Sequence, residues 1–104
     1  MRELQITVLR RFVHPEFQSY VEERLVKCPC FTEGQMFRTS YEKPEGFCDW
    51  AWNDIFVYVV ALLNGGNFSE GVFKGWMKDK SVMIASCTDG IRPVVFELKV
   101  VKKK

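Results

Sequence analysis

Long apolar runs are missing from this chain of 104 residues. The most hydrophobic segment, Trp50 to Leu63, is interrupted by Asn53 and Asp54 and falls short of the roughly 20 apolar residues of a membrane helix. It is expected to be a buried core element. The N-terminal residues alternate polar and apolar from Arg2 to Ile6 and lack the apolar centre of a secretory signal, which makes export unexpected. An excess of one charge is lacking too. Lys plus Arg number 15 against 13 for Asp plus Glu, and Lys102, Lys103 and Lys104 supply three of the positive charges, so the chain before them sums to −1. No nucleic-acid partner and no membrane surface is expected from that balance, and the lysines themselves read as a solvated, frayed end.

Histidine occurs once, as His14, so a Ser-His-Asp arrangement has a single available base, and its place before Pro15 suits a loop residue beside a helix start. There is no P-loop, Rossmann fingerprint or metalloprotease helix motif, and Gly65-Gly66 reads as a helix terminator instead of a phosphate cradle. No catalytic residue is assigned. Repeats, low-complexity stretches and linkers are absent, and the length fits a single domain over 1–104. Cysteine is present but sparse. Four in 104 residues is well below the roughly 8–10% of a disulfide-stapled secreted scaffold, so a reducing, cytoplasmic setting is expected.

What is abundant is core material: 47% of residues are hydrophobic and 14% aromatic. Leu4, Ile6 and Val8 alternate within a strand spanning Leu4 to Phe12. Pro15 then opens a short helix expected to run to about Leu25, with Phe17, Tyr20, Val21 and Leu25 on its apolar face. Cys28-Pro29-Cys30 breaks regular structure and reads as a rigid loop. Gln35 to Tyr41 is a second strand with Met36 and Phe37 on opposite sides, and Lys43 to Gly46 a turn. Asp49 is the expected N-cap of a helix ending at Gly65-Gly66. Trp52, Ile55, Phe56, Val59 and Leu63 form its stripe; Ala51, Tyr58 and Leu62 widen it until the helix needs cover on several sides, by the sheet, by other helices or by a second subunit. Ser81 to Cys87 and Pro93 to Val101 form a hairpin around Thr88-Asp89-Gly90, with Val94, Phe96, Leu98 and Val100 facing the core. The fold class is therefore α+β: a small mixed or antiparallel sheet with a C-terminal β-hairpin, one long buried helix and one short helix.

Cys28, Cys30, Cys48 and Cys87 are the candidate metal ligands, because deprotonated cysteine suits zinc or an iron–sulfur cluster. Only the first pair is local, so the chain fold must bring Cys48 and Cys87 to it. Two other readings stand beside this one. Cys48 and Cys87 are small buried hydrophobes with Cys28 and Cys30 exposed in a loop, or Cys48 is a redox thiol at a helix N-terminus, opposed by the carboxylate of Asp49. Trp50, Trp52 and Trp76, with Phe47 and Phe68, are candidate walls of a small-molecule pocket, and Asp54, Asp89 and Arg92 its candidate polar contacts. A homo-oligomer burying the apolar helix is a further structural reading.

Three groups of residues carry a resemblance. They are Cys28-Pro29-Cys30 with Gly34-Gln35-Met36-Phe37; the run Pro44-Glu45-Gly46-Phe47-Cys48-Asp49-Trp50-Ala51-Trp52-Asn53-Asp54-Ile55; and Cys87-Thr88-Asp89-Gly90-Ile91-Arg92-Pro93 with the strand after it. With Ala61-Leu62, Gly65-Gly66 and Trp76-Met77, nearly the whole chain resembles a family of small single-domain prokaryotic proteins, mainly from anaerobic bacteria and archaea. The resemblance implies no particular activity, substrate or cofactor. It marks the cysteine-bearing segments and the tryptophan-rich helix start. The family pattern does not call for a cysteine directly after Cys28-Pro29, so Cys30 is a departure from it.

Overall fold

Period-two patterning builds the sheet. The computed structural model, which describes residues 2–102, places strand β1 at Arg2–Arg11, β2 at Met36–Thr39, β3 at Val82–Ser86 and β4 at Val94–Lys102. All pairings are antiparallel, in the order β2-β1-β4-β3. The two long strands are central and the two short ones lie at the edges. Side chains of one parity line up across the sheet: Ile6 sits opposite Phe37 and Leu98, and Leu98 opposite Met83. Leu4, Ile6, Val8, Phe96 and Leu98 are all but inaccessible to solvent, and each such burial is worth about 1.5–3 kcal/mol against exposure.

One helix, α1 (Asp49–Leu63), covers this face and touches β1, β3 and β4. Its buried line is Ala51, Ile55, Val59, Leu62 and Leu63, which follows the three- and four-residue spacing of a helix face. Within the chain the sheet covers one face of the helix and Phe68 packs on Tyr58 beside it, while Phe56 and Val57 point outward. Asn64 ends the helix and Gly65 follows at φ +86°, the left-handed step that glycine takes without strain. No helix among the described residues is long and apolar enough to cross a membrane.

Two local expectations are corrected. The helix expected from Pro15 to about Leu25 is a short 3-10 segment, Pro15–Tyr20, that buries nothing; Val21 is already extended. The Gln18 carboxamide holds the following loop, accepting from Leu25 N–H at 2.8 Å and donating to the Glu23 carbonyl at 2.9 Å. With Phe17 and Tyr20 exposed, no tertiary contact offsets the cost of nucleating an α-helix. Secondly, Asp49 is the first residue of α1, and Cys48 is its N-cap, without a side-chain capping bond. The β3–β4 hairpin runs through Thr88-Asp89-Gly90 as expected, in a connection from Cys87 to Pro93. The Asp89 carboxylate accepts from the amides of Ile91 (2.8 Å) and Arg92 (3.0 Å), which shapes the loop. Lys103 and Lys104 lie outside the described residues.

Candidate cysteine site

A register shift in β1 prepares the site. Up to Val8 the inward residues of β1 and β4 face each other, but the pairing slips between Val8 and Arg10, so that Arg11 lies opposite buried Val94. This bulge places Arg11 on the helix side of the sheet, where an uninterrupted strand would put Arg10. There its Nη1 donates to the Cys28 carbonyl at 3.0 Å. Glu33 accepts from both the backbone N–H and Nε of Arg11, each at 3.0 Å. The loop carrying Cys28 and Cys30 is thereby tied to the end of β1.

Phenylalanines anchor two of the three cysteine segments. Phe31 follows Cys30, Phe47 precedes Cys48, and both are buried. Their ring centroids lie 5.0 Å apart, and 5.1 and 5.4 Å from Phe96 of β4. Aromatic contacts of this kind add to the simple burial of area. In the third segment, Cys87 continues the inward parity of Met83 and Ala85 just past β3. Its N–H donates to the Val94 carbonyl at 3.0 Å, and its Sγ accepts from the Val94 N–H at 3.3 Å. A further tie crosses to the helix: Asp54 of α1 accepts from the amide and hydroxyl of Thr88 at 2.8 and 2.9 Å. The helix start bearing Cys48 is thus fixed against the loop that follows Cys87.

As a result Cys28, Cys30, Cys48 and Cys87 all line one cavity of about 430 Å³. The distant thiols that had to be brought together share a pocket, and none is in a disulfide. Trp50, Asp54, Thr88, Asp89 and Arg92 complete its polar and aromatic wall. Trp52 and Trp76, expected in the same wall, are elsewhere. Trp52 packs on Phe47 and Phe56, and Trp76 on Phe68 and Phe73. Phe47 and Phe68 are core residues, and His14 donates its amide to the Ile91 carbonyl at 2.8 Å in a loop.

The thiols sense one another. Burial raises the pKa of Cys30, and the nearby sulfurs of Cys28 and Cys48 push the same way; Arg92 opposes them. Sulfurs bound to one zinc ion at ~2.3 Å lie within about 4 Å of each other. Among the described residues no three Cys, His, Asp or Glu are gathered into a group that could hold a metal ion. Convergence of the four thiols is therefore at the scale of a cavity, not of a closed tetrahedron. Asp89 is kept ionised below the usual carboxylate range: burial works against its charge, but the amides of Arg92 and Ile91 and the guanidinium of Arg92 outweigh it.

The thiols, Trp50, Asp54, Asp89 and Arg92 are legible in the sequence, but not Arg11, Phe31, Glu33 or Thr88. A signal for Phe31 was present: in both loops a phenylalanine directly adjoins a cysteine. Arg11 had none, because its inward position depends on the bulge. Comparison with protein-family models, with curated proteins and with solved structures finds no match.

Proposed function

We propose that this protein holds a thiolate-bound metal, zinc or an iron–sulfur cluster, through Cys28, Cys30, Cys48 and Cys87 in a reducing cytoplasm. The observation that carries this reading is that every cysteine of the chain, drawn from three separate segments, lines one cavity. Electrostatics support it. Cys30 is raised chiefly by burial, with Cys28 and Cys48 adding to it, and a bound cation would offset that penalty by stabilising the thiolates. The N–H···S bond to Cys87 is the kind of outer contact that orients a metal-bound sulfur. The cavity also exceeds by many times the roughly 30 Å³ of one water, leaving room for a cluster or for an ion with a further ligand.

Metal analysis of protein purified without oxygen tests the proposal. Zinc or iron near one equivalent or above, falling sharply in Cys48→Ser and Cys87→Ser, is the expected result. Substoichiometric zinc and iron without visible absorbance ends it. A second reading, thiol redox chemistry, is favoured by Cys28 and Cys30 lying two residues apart in one loop and lining the same cavity as free thiols. It predicts a reversible Cys28–Cys30 disulfide in metal-free protein, read by thiol counting before and after reduction. A second copy of the chain is the partner in this proposal, laid over the outward apolar residues of α1.

A further inference from the structure

Packing leaves one thiol of the cavity free. Cys28, Cys48 and Cys87 are half-buried and pack against the hydrophobic core, whereas Cys30 is exposed and has no part in that packing. Two of the half-buried cysteines are held in place: Cys48 is the N-cap residue of α1, and Cys87 Sγ accepts the Val94 N–H at 3.3 Å. Cys28 differs from them, because it lies two residues from Cys30, across the turn at Pro29-Cys30, and lines the same cavity. Cα atoms two residues apart are at most about 7 Å from each other, and a turn shortens that into the roughly 4.4–6.8 Å that a disulfide spans. With the Cys28 carbonyl fixed by Arg11 and φ of Pro29 locked by its ring, side-chain rotation is enough to join the pair.

The rest of the wall selects what enters. Phe31, Ala51 and Val94 give it apolar surface, and Trp50, 85% exposed, offers a flat face to an incoming molecule. The charged groups are already committed: Arg92 is paired with Asp89 at 3.7 Å, and Asp54 accepts from Thr88. Among the described residues the wall therefore has no cation left for an anionic group, and its one carboxylate in excess repels such a group. We propose that Cys30 and Cys28 form a dithiol that reduces small uncharged disulfides, with Cys30 attacking and Cys28 resolving. This rests on the redox reading above and not on a bound metal. The Cys30 thiolate attacks one sulfur of the substrate: the S–S bond breaks, a mixed disulfide forms on Cys30, and the first thiolate leaves and takes up a proton from water in place of the one Cys30 released. The Cys28 thiolate then attacks the Cys30 sulfur, the Cys28–Cys30 bond forms and the second substrate thiol leaves, so two electrons pass from the protein to the substrate. Burial, with the Cys28 and Cys48 sulfurs, raises the Cys30 pKa, and a thiolate of higher pKa is the stronger nucleophile once formed.

Reduced, metal-free protein is mixed with bis-hydroxyethyl disulfide, which is uncharged, and separately with dithiodiglycolate, an anion of similar size. Each rate is divided by that of the same compound with mercaptoethanol. A Cys28–Cys30 disulfide by peptide mass is expected, with two thiols released per chain and a relative rate on the order of tenfold higher for the uncharged compound. Cys28→Ser is expected to stop at the mixed disulfide on Cys30, and Trp50→Ala to slow the uncharged compound several-fold. Equal relative rates, or no change in Trp50→Ala, overturn the substrate class and leave the redox pair standing. A disulfide through Cys48 or Cys87 overturns the role of Cys28. No exchange with either compound overturns the proposal and the redox reading together.

Discussion

Glu33 carries as much of the site's geometry as any cysteine, although it never touches a sulfur. Its carboxylate is held below the ordinary range chiefly by the Arg11 amide, which outweighs desolvation, with the Arg11 side chain adding to the lowering. Asp89, in the other loop of the site, is depressed as well, its burial outweighed by the Arg92 and Ile91 amides. For both, the folded state binds its proton less readily than the unfolded chain. Their stabilisation is therefore present above the ordinary carboxylate pKa and is lost as pH falls through the depressed folded values. Thermal unfolding of metal-free protein is expected to move to lower temperature below about pH 4, and Glu33→Gln to flatten that descent. A pH profile identical in the variant would show that Glu33 is not bound as described. Cys30 works the other way. With its pKa raised in the fold, its contribution is present below the unfolded thiol value and lost as pH rises through the folded one.

At the scale of elements, β4 organises both core and site, because Phe96 packs on Ala85 and Val8 across the sheet and on Phe31 and Phe47 above it. Phe96→Ala is expected to cost about 3–5 kcal/mol in denaturant unfolding. It should also loosen both cysteine loops, seen as faster amide exchange at Phe31 and Phe47 relative to the rest of the sheet. A loss under about 1 kcal/mol would contradict this packing. The strands and α1 were legible because their alternation and helical spacing are local and strongly patterned. The Pro15 helix was misread because apolar spacing at Phe17 and Tyr20 suggested a buried face, and only tertiary contact decides whether such a face is used. The cap at Cys48 was misplaced by one residue, since Asp49 has the better capping chemistry but sits inside the first turn. The cysteine candidates could be named from the sequence. Their convergence could not, because it depends on a bulge in β1, two buried phenylalanines and the Asp54–Thr88 tie, each a long-range contact.

Over the whole molecule, the helix packs on one sheet face and leaves Trp50 and Val57 of α1 at 85% and 65% exposure, with Val72 and Trp76 open beyond it. An apolar helix surface of this kind is costly in water unless covered. Light scattering is expected to give the mass of a dimer, reverting towards 12.2 kDa in Val57→Glu. A strict monomer for the unmodified chain would remove the second copy from the account and leave the cysteine cavity unaffected.

The proposed metal site requires sulfur ligation. X-ray absorption of protein loaded without oxygen measures it directly: three or four sulfur neighbours at about 2.3 Å are predicted. A first shell of nitrogen and oxygen, with no sulfur, would contradict it.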